Sequence, residues 1–297
     1  MNSIDLHMHS VYSSDGEFSP EELVQKCCDA GIGIMAIADH NSCRACAAGI
    51  DEAGRRGITC IPAIELDCFY NETSLHILGY GIDYTDERFA QLEDYIIGQE
   101  QATSAQRLQM MKERGLHIDE DRAYSLAHNG YVTGELIAEV TLADPGNDGH
   151  PMLRNYRQGG SRSDNPYVNF SWDWCAPGRP VYIPIPYPSF KESVDLIRLT
   201  GGVPVLAHPG NNVKENDELL REILDGGIEG IEVYSGYHSA EQVRYYRGKA
   251  LEYGLRMTCG SDFHGKTKPS IRLGAMELGE DEARVREALE SWGMTRA

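Results

Sequence analysis

The sequence predicts an α/β protein built on a mainly parallel sheet and interrupted by a long insertion. Three observations lead there. Short apolar stretches alternate with amphipathic helical stretches near both ends of the chain, the pattern of strands joined through helices. Polar residues gather where the apolar stretches finish, which is where such folds place their sites. Between residues 86 and 180 the alternation stops.

Each element has a local reason. Residues 3–6 read as a short strand. Ser19-Pro20-Glu21-Glu22 supplies a helix N-cap, Pro at the first helical position and acids in the first turn, opening a helix that Gly31 stops. Ile34 to Ala38 is apolar and reads as a strand with Asp39-His40-Asn41 at its end. A helix over 43–56, a strand over 59–65 ending at Glu65, and a strand over 75–80 containing His76 follow. Late in the chain, helices over 190–200, 218–225 and 240–253 alternate with strands over 203–207, 228–234 and 257–261.

Residues 86–114 read as one long polar helix with Phe89, Leu92, Ile96, Leu108 and Met111 on its apolar positions, and a short helix is expected over 132–140. The stretch from 141 to 188 is rich in Gly, Pro, Asn and Arg without clear periodicity. Tyr167, Trp172 and Trp174 favour an ordered lid there. The division expected is therefore 1–85 with 181–297 as the core fold, and 86–180 as an inserted cap that governs substrate choice.

A chain of 297 residues accommodates one large α/β barrel or two ordinary domains. With 41% hydrophobic and 25% charged residues it has the composition of a soluble globular protein, and no apolar run approaches the roughly 18 residues that span a bilayer. The beginning of the sequence lacks a basic start followed by an apolar run. The eight cysteines are scattered, fitting a reducing, cytoplasmic setting. Cys43 and Cys46 have C-x-x-C spacing but read as packing at a helix start. A net charge of −19 argues against a nucleic acid polymer as partner and suits a chain that binds cations.

His7 and His9 are two residues apart at a strand end, so both rings point to one face of an extended chain and can grip one ion. Ser14-Asp15-Gly16 is a turn able to bring a carboxylate back to them. Other strand ends contribute His40, Glu65, His76, His208, Asp262 and His264, so that six of the ten histidines fall in one set of nine. Nine N and O donors are too many for one ion and suit two or three divalent cations bridged by carboxylates. The lack of Cys in the set favours Mn, Fe or Zn in a hydrolytic site over structural zinc.

At this point the chain resembles the PHP (polymerase and histidinol phosphatase) family of metal-dependent phosphoesterases, within the amidohydrolase-like superfamily. The motifs are Asp5-Leu6-His7-Met8-His9-Ser10 with Ser14-Asp15-Gly16, then Ala38-Asp39-His40-Asn41, Ala207-His208-Pro209-Gly210 and Ser261-Asp262-Phe263-His264, in family order. The resemblance implies a distorted (β/α)7 barrel of the TIM type. It implies that His7, His9, Glu65 and Asp262 hold one ion and that Glu65 bridges to a second held by His76 and His208. Asp15, His40 and His264 would hold a third. Manganese is the metal expected first. The implied activity is hydrolysis of small phosphate esters, of sugar or nucleoside phosphate type, by hydroxide from water shared between cations. A cyclic phosphodiester opened and then hydrolysed as a monoester falls within that reading. Alternatives are a 3′,5′-bisphosphate phosphatase, a histidinol-phosphate phosphatase, or a metal-binding regulatory module without turnover.

Asp262 and His238 are the candidates for moving protons, and Asp39 reads as a bracing carboxylate or a helix N-cap. Nucleotide-type relatives often carry Arg-Pro-His early in the insertion, in a segment that Tyr131-Val132-Thr133-Gly134-Glu135 resembles without the tripeptide, and Arg after His-Pro-Gly where this chain has Asn211. Arg154, Arg157, Arg162, Arg179 and Lys266 are the candidate replacements, because guanidinium and ammonium groups bind phosphate. The partner expected is a small phosphorylated metabolite, with no membrane.

Overall fold

A computed structural model describes residues 3–295. Its strands are β1 (Ile4–Met8), β2 (Ile34–Ile37), β3 (Thr59–Cys60), β4 (Ala63–Tyr70), β5 (Thr73–Tyr80), β6 (Val203–Leu206), β7 (Gly230–Ser235) and β8 (Arg256–Gly260). The helices are α1 (Pro20–Asp29), α2 (Arg44–Arg56), α3 (Glu87–Lys112), α4 (Glu120–Leu126), α5 (Gly134–Ala143), α6 (Pro166–Trp174), α7 (Phe190–Leu199), α8 (Pro209–Asn212), α9 (Asp217–Asp225), α10 (Ala240–Tyr253) and α11 (Glu282–Ser291). Ser19 and Glu22 close a reciprocal capping box on α1, and Gly57 ends α2 with a left-handed φ of 71°.

The fold is mixed α/β. β1, β2 and β3 form a parallel sheet, and the other five strands run in the order β4-β5-β6-β7-β8. In this second sheet β6, β7 and β8 are parallel, but β5 is antiparallel to both β4 and β6. Two expectations change here. The single strand expected over 59–65 breaks at Pro62, which has no N–H for a ladder, and its halves enter different sheets. The next strand cannot be parallel to β4, because only Asn71 and Glu72 separate Tyr70 from Thr73, and a two-residue link permits only a hairpin. Asn71 supplies the left-handed φ of 53° that such a turn favours.

The two sheets touch at both edges without merging into one closed sheet among the described residues. At one edge Met8 bridges Phe263 and the N–H of Asp262 donates to His7 O at 2.8 Å. At the other, His40 bridges Glu65 and the N–H of Asn41 donates to Glu65 O at 2.8 Å. The strand ends that carry the polar motifs therefore converge.

The main core packs α7, α9, α10 and α11 on the second sheet, while a smaller cluster seats α1 and α2 on β1 and β2. A third apolar cluster is drawn wholly from the stretch between Leu108 and Val181, including Ile137, Leu153 and Phe170. The stretch expected to lack periodicity is thus built on short 3-10 turns and α6 around its own core. No described helix is long and apolar enough to cross a membrane.

Candidate metal centre and active-site cavity

His7 and His9 project from the end of β1 to one side, as the two-residue period of a strand requires. Asp262 follows β8 with a left-handed φ of 60°, a conformation that ordinary residues adopt at some cost. Asp5 holds this junction. Its carboxylate accepts from the N–H groups of Ser261 and Gly274, both at 2.8 Å, so the first motif fixes the last. Gly260 is required beside them, since a Cβ there would lie 2.1 Å from His7 Cβ and 2.4 Å from Glu232 Oε1.

All nine ligand candidates come together. His7 Nε2, His9 Nε2, Glu65 Oε2 and Asp262 Oδ1 form one group, in which the imidazole nitrogens stand 3.0 to 3.4 Å from one another and from the two carboxylate oxygens. Donors sharing a tetrahedral ion at bonds near 2.0–2.1 Å stand about 3.3 Å apart. The other oxygen of Glu65, Oε1, lies 2.9 Å from His76 Nδ1 and 3.0 Å from His208 Nε2. Asp15, His40 and His264 form a further group with His9, His264 Nε2 standing 3.2 Å from Asp15 Oδ2.

The donor set fits divalent cations. Asp15 Oδ1, His40 Nδ1, Asp262 Oδ1 and His264 Nε2 are buried without a hydrogen-bond partner, and all four residues belong to the groups above. Buried polar atoms left so are costly, and a cation satisfies them together.

Outer contacts orient these donors. Glu232 places Oε1 3.0 Å from His7 Nδ1 and accepts the N–H of His208 on Oε2 at 2.8 Å. Ser13 Oγ lies 2.9 Å from His9 Nδ1, and Asn212 Oδ1 lies 3.1 Å from His208 Nδ1. Asp39 braces the first loop, accepting from both the N–H and the hydroxyl of Ser10 at 2.6 Å. It does not cap α2, whose N-cap is Cys43.

The cluster opens into a cavity of about 740 Å³ walled jointly by the strand ends and by residues of 86–180, among them Tyr131, Glu135 and Trp172. Arg162, Arg179 and Asn211 line it. Arg162 is already paired with Asp173 at 3.1 Å, while Arg179 is exposed. Arg157 turns inward to the carbonyls of Leu142 and Asn147, and Arg154 is exposed; neither is among the described lining residues. Lys266 pairs with Glu139 at 2.8 Å. The buried ammonium at the cluster belongs to Lys268, which donates to Asp262 Oδ2 at 2.9 Å and lies 5.2 Å from the Tyr237 ring centroid. His238 stands behind the wall. Its Nδ1 donates to Val233 O at 2.8 Å, and its Nε2 accepts from the N–H of Gly210 at 3.0 Å.

Electrostatics divide the histidines. Burial pushes His9 down to about 4. Burial also opposes charge on His7, but the carboxylates of Glu65, Glu232 and Asp262 outweigh it and hold the ring well above its ordinary value. For His40, Asp67 and Glu65 do the same. Burial alone would raise the carboxyl of Asp262, yet Lys268, His264 and His7 hold it well below the usual range, so it stays an anion suited to ligation.

Glu232, Asp67 and Lys268 join the site without being marked as site residues by the sequence pattern. Glu232 had a signal, a lone acid inside an apolar strand, and Asp67 shares the two-residue spacing with Glu65. Lys268 had none beyond proximity to His264.

The model of the PHP domain matches residues 5–164. Among curated relatives, a 3′,5′-nucleoside bisphosphate phosphatase of Chromobacterium violaceum is 28% identical, covering 93% of this chain and 92% of its own length. The 5′-3′ exoribonuclease Rnm of Escherichia coli is 27% identical over 91% of this chain and 87% of that protein. A phosphoribosyl 1,2-cyclic phosphate 1,2-diphosphodiesterase of Eggerthella lenta is 26% identical over 88% and 94%. A crystal structure from Bifidobacterium adolescentis, assigned as a metal-dependent phosphoesterase, superposes with a TM-score of 0.76 at 25% identity, covering 96% of this chain and 95% of that one.

Proposed function

The chain belongs to the PHP family, and from that premise we propose that it hydrolyses small phosphate esters of the sugar- or nucleoside-phosphate type in a two- or three-cation site. That it is a phosphoester hydrolase agrees with relatives that act as phosphatase and phosphodiesterase. The observation that carries the narrower reading is the cavity. At about 740 Å³ it has the size of a small-ligand site, and Asp15, His40, His76, His208, Asp262 and Lys268 all face it.

His7, His9, Glu65 and Asp262 would hold one cation, Glu65, His76 and His208 a second, and Asp15, His40 and His264, with His9, a third. Divalent cations supply, when bound, hydroxide from water near neutral pH and charge neutralisation on phosphoryl oxygens. The chain supplies the rest. Lys268 neutralises the outer oxygen of Asp262 and adds positive charge at the cavity wall. Arg179 and Asn211 line the same cavity, where they would meet a second phosphate or a sugar hydroxyl. His238, with both ring nitrogens on backbone groups, serves to hold the 208–210 turn.

Residues 86–180 act in this reading as a cap over a distorted (β/α)7 barrel. The separate apolar cluster of the insertion and the contacts between the sheets at both edges support it. The exoribonuclease relatives favour a second reading, removal of nucleotides from RNA ends.

Phosphate release with Mn²⁺ from nucleoside bisphosphates, ribose cyclic phosphates, mononucleotides and 5′-phosphorylated RNA separates these readings. Turnover is expected on small esters and lost by at least about 100-fold in Asp262→Asn and His9→Ala. Faster turnover on RNA supports the second reading, and no turnover on any ester with metal bound sinks both.

A further inference from the structure

Asp67 stands on β4 two residues beyond Glu65, on the same face, and its cross-strand neighbour in the β4–β5 register is His76. Its Oδ1 lies 3.0 Å from His40 Nδ1 and 3.4 Å from His76 Nε2. Asp67 Oδ1 and His40 Nδ1 are nevertheless both buried and both without a hydrogen-bond partner. Two such atoms 3.0 Å apart without hydrogen-bond geometry have the spacing of co-ligands, at about the 3.3 Å edge of a small coordination shell.

The aim of that oxygen is set by a clamp. Asn41 donates from Nδ2 to Asp67 Oδ2 at 2.7 Å, and its Oδ1 accepts the N–H of Asp67 at 3.0 Å. Asn41 reaches this position with a left-handed φ of 55° directly after His40. One carboxylate oxygen is thereby consumed and the other left facing the cluster. His76 directs Nδ1 to Glu65 Oε1 at 2.9 Å, so a neutral ring ligating through that nitrogen carries its proton on Nε2, the side of Asp67.

We propose that Asp67 is a tenth ligand: its Oδ1 shares a cation with His40, and His76 Nε2 stands 3.4 Å away at the edge of the same group. The inference deepens the multi-cation reading above. It adds a carboxylate where the group of His40 and His76 adjoins the group of Glu65, His76 and His208. The occupant is a hard or borderline divalent cation such as Mn²⁺, since the donors around His40 are carboxylates and imidazoles.

Metal counting tests this without any ester. Purified wild type, Asp67→Ala and Asp67→Asn are dialysed against graded Mn²⁺ and their content measured by plasma mass spectrometry. Asp67→Asn keeps the size of the side chain, so its result does not depend on tolerance of a truncation. The expectation is that both variants retain the ions of the other groups and hold one ion at least about tenfold more weakly. Asn41→Ala, which frees the clamp, should weaken the same ion. Wild-type retention in either Asp67 variant, or equal weakening of every ion, overturns the assignment. A wild type that binds its full complement but turns over no ester fails the hydrolase reading alone.

Discussion

His7 and His9 stand side by side, yet their surroundings oppose one another. In the ion-free protein burial keeps His9 neutral, whereas nearby carboxylates raise His7, His40 and His208 above the ordinary imidazole value. A raised group contributes stability that is present below the unfolded value of about 6.5 and lost as pH climbs through the folded value. Ligation requires the neutral ring, so loading at pH 7 must expel protons and tighten as pH rises. Calorimetric titration with Mn²⁺ in two buffers of different ionisation enthalpy should report net proton release; identical heats would contradict this. At this scale the nine candidate donors that the structure brings together are visible in the sequence, because strand-end placement shows in a linear pattern. Asp67 was missed although Glu65 and Asp67 repeat the spacing of His7 and His9. Closeness to His264 in sequence favours Lys266 over Lys268, but the 3-10 turn at Gly265–Thr267 turns the ammonium of Lys268 inward.

Elements carry these residues through a few tight junctions. Gly260→Ala drives a methyl into His7 and Glu232 across the β8–β1 seam, so it should destabilise by about 2 kcal/mol and weaken ion retention together. A melt and a metal assay on one sample check it, and loss of stability with normal ion content would dissociate the seam from the site. Helix positions were well marked by caps, and α10 begins and ends where the pattern puts it. Sheet order was harder to read. Apolar runs announce strands but not their partners, and the hairpin between β4 and β5 followed from a turn of two residues within a run that looks parallel. The insertion was opaque for a related reason: its packing relies on short turns and long-range contacts that leave no period.

For the molecule as a whole, the cluster gathers buried acids in a chain of net charge −19. Cations bound only by the folded state add stability by mass action, about 2.7 kcal/mol at one hundred times the dissociation constant. Stripping them with a chelator should lower Tm by roughly 5 °C or more, restored by Mn²⁺ but not by an equal ionic strength of NaCl; an unchanged melt would mean that the buried acids are satisfied without ions. The seam between β1 and β8 has one more effect, on the order of folding. His7 and Asp262 join residues separated by most of the chain, with the whole insertion lying between them. Such closure is slow because loop entropy is lost before the contacts form. A nascent chain therefore exposes His7, His9, His40 and Glu65 well before Asp262 and His264 emerge. In the proposed reading the complete donor set of the first cation therefore assembles only after residues 262–264 have been synthesised.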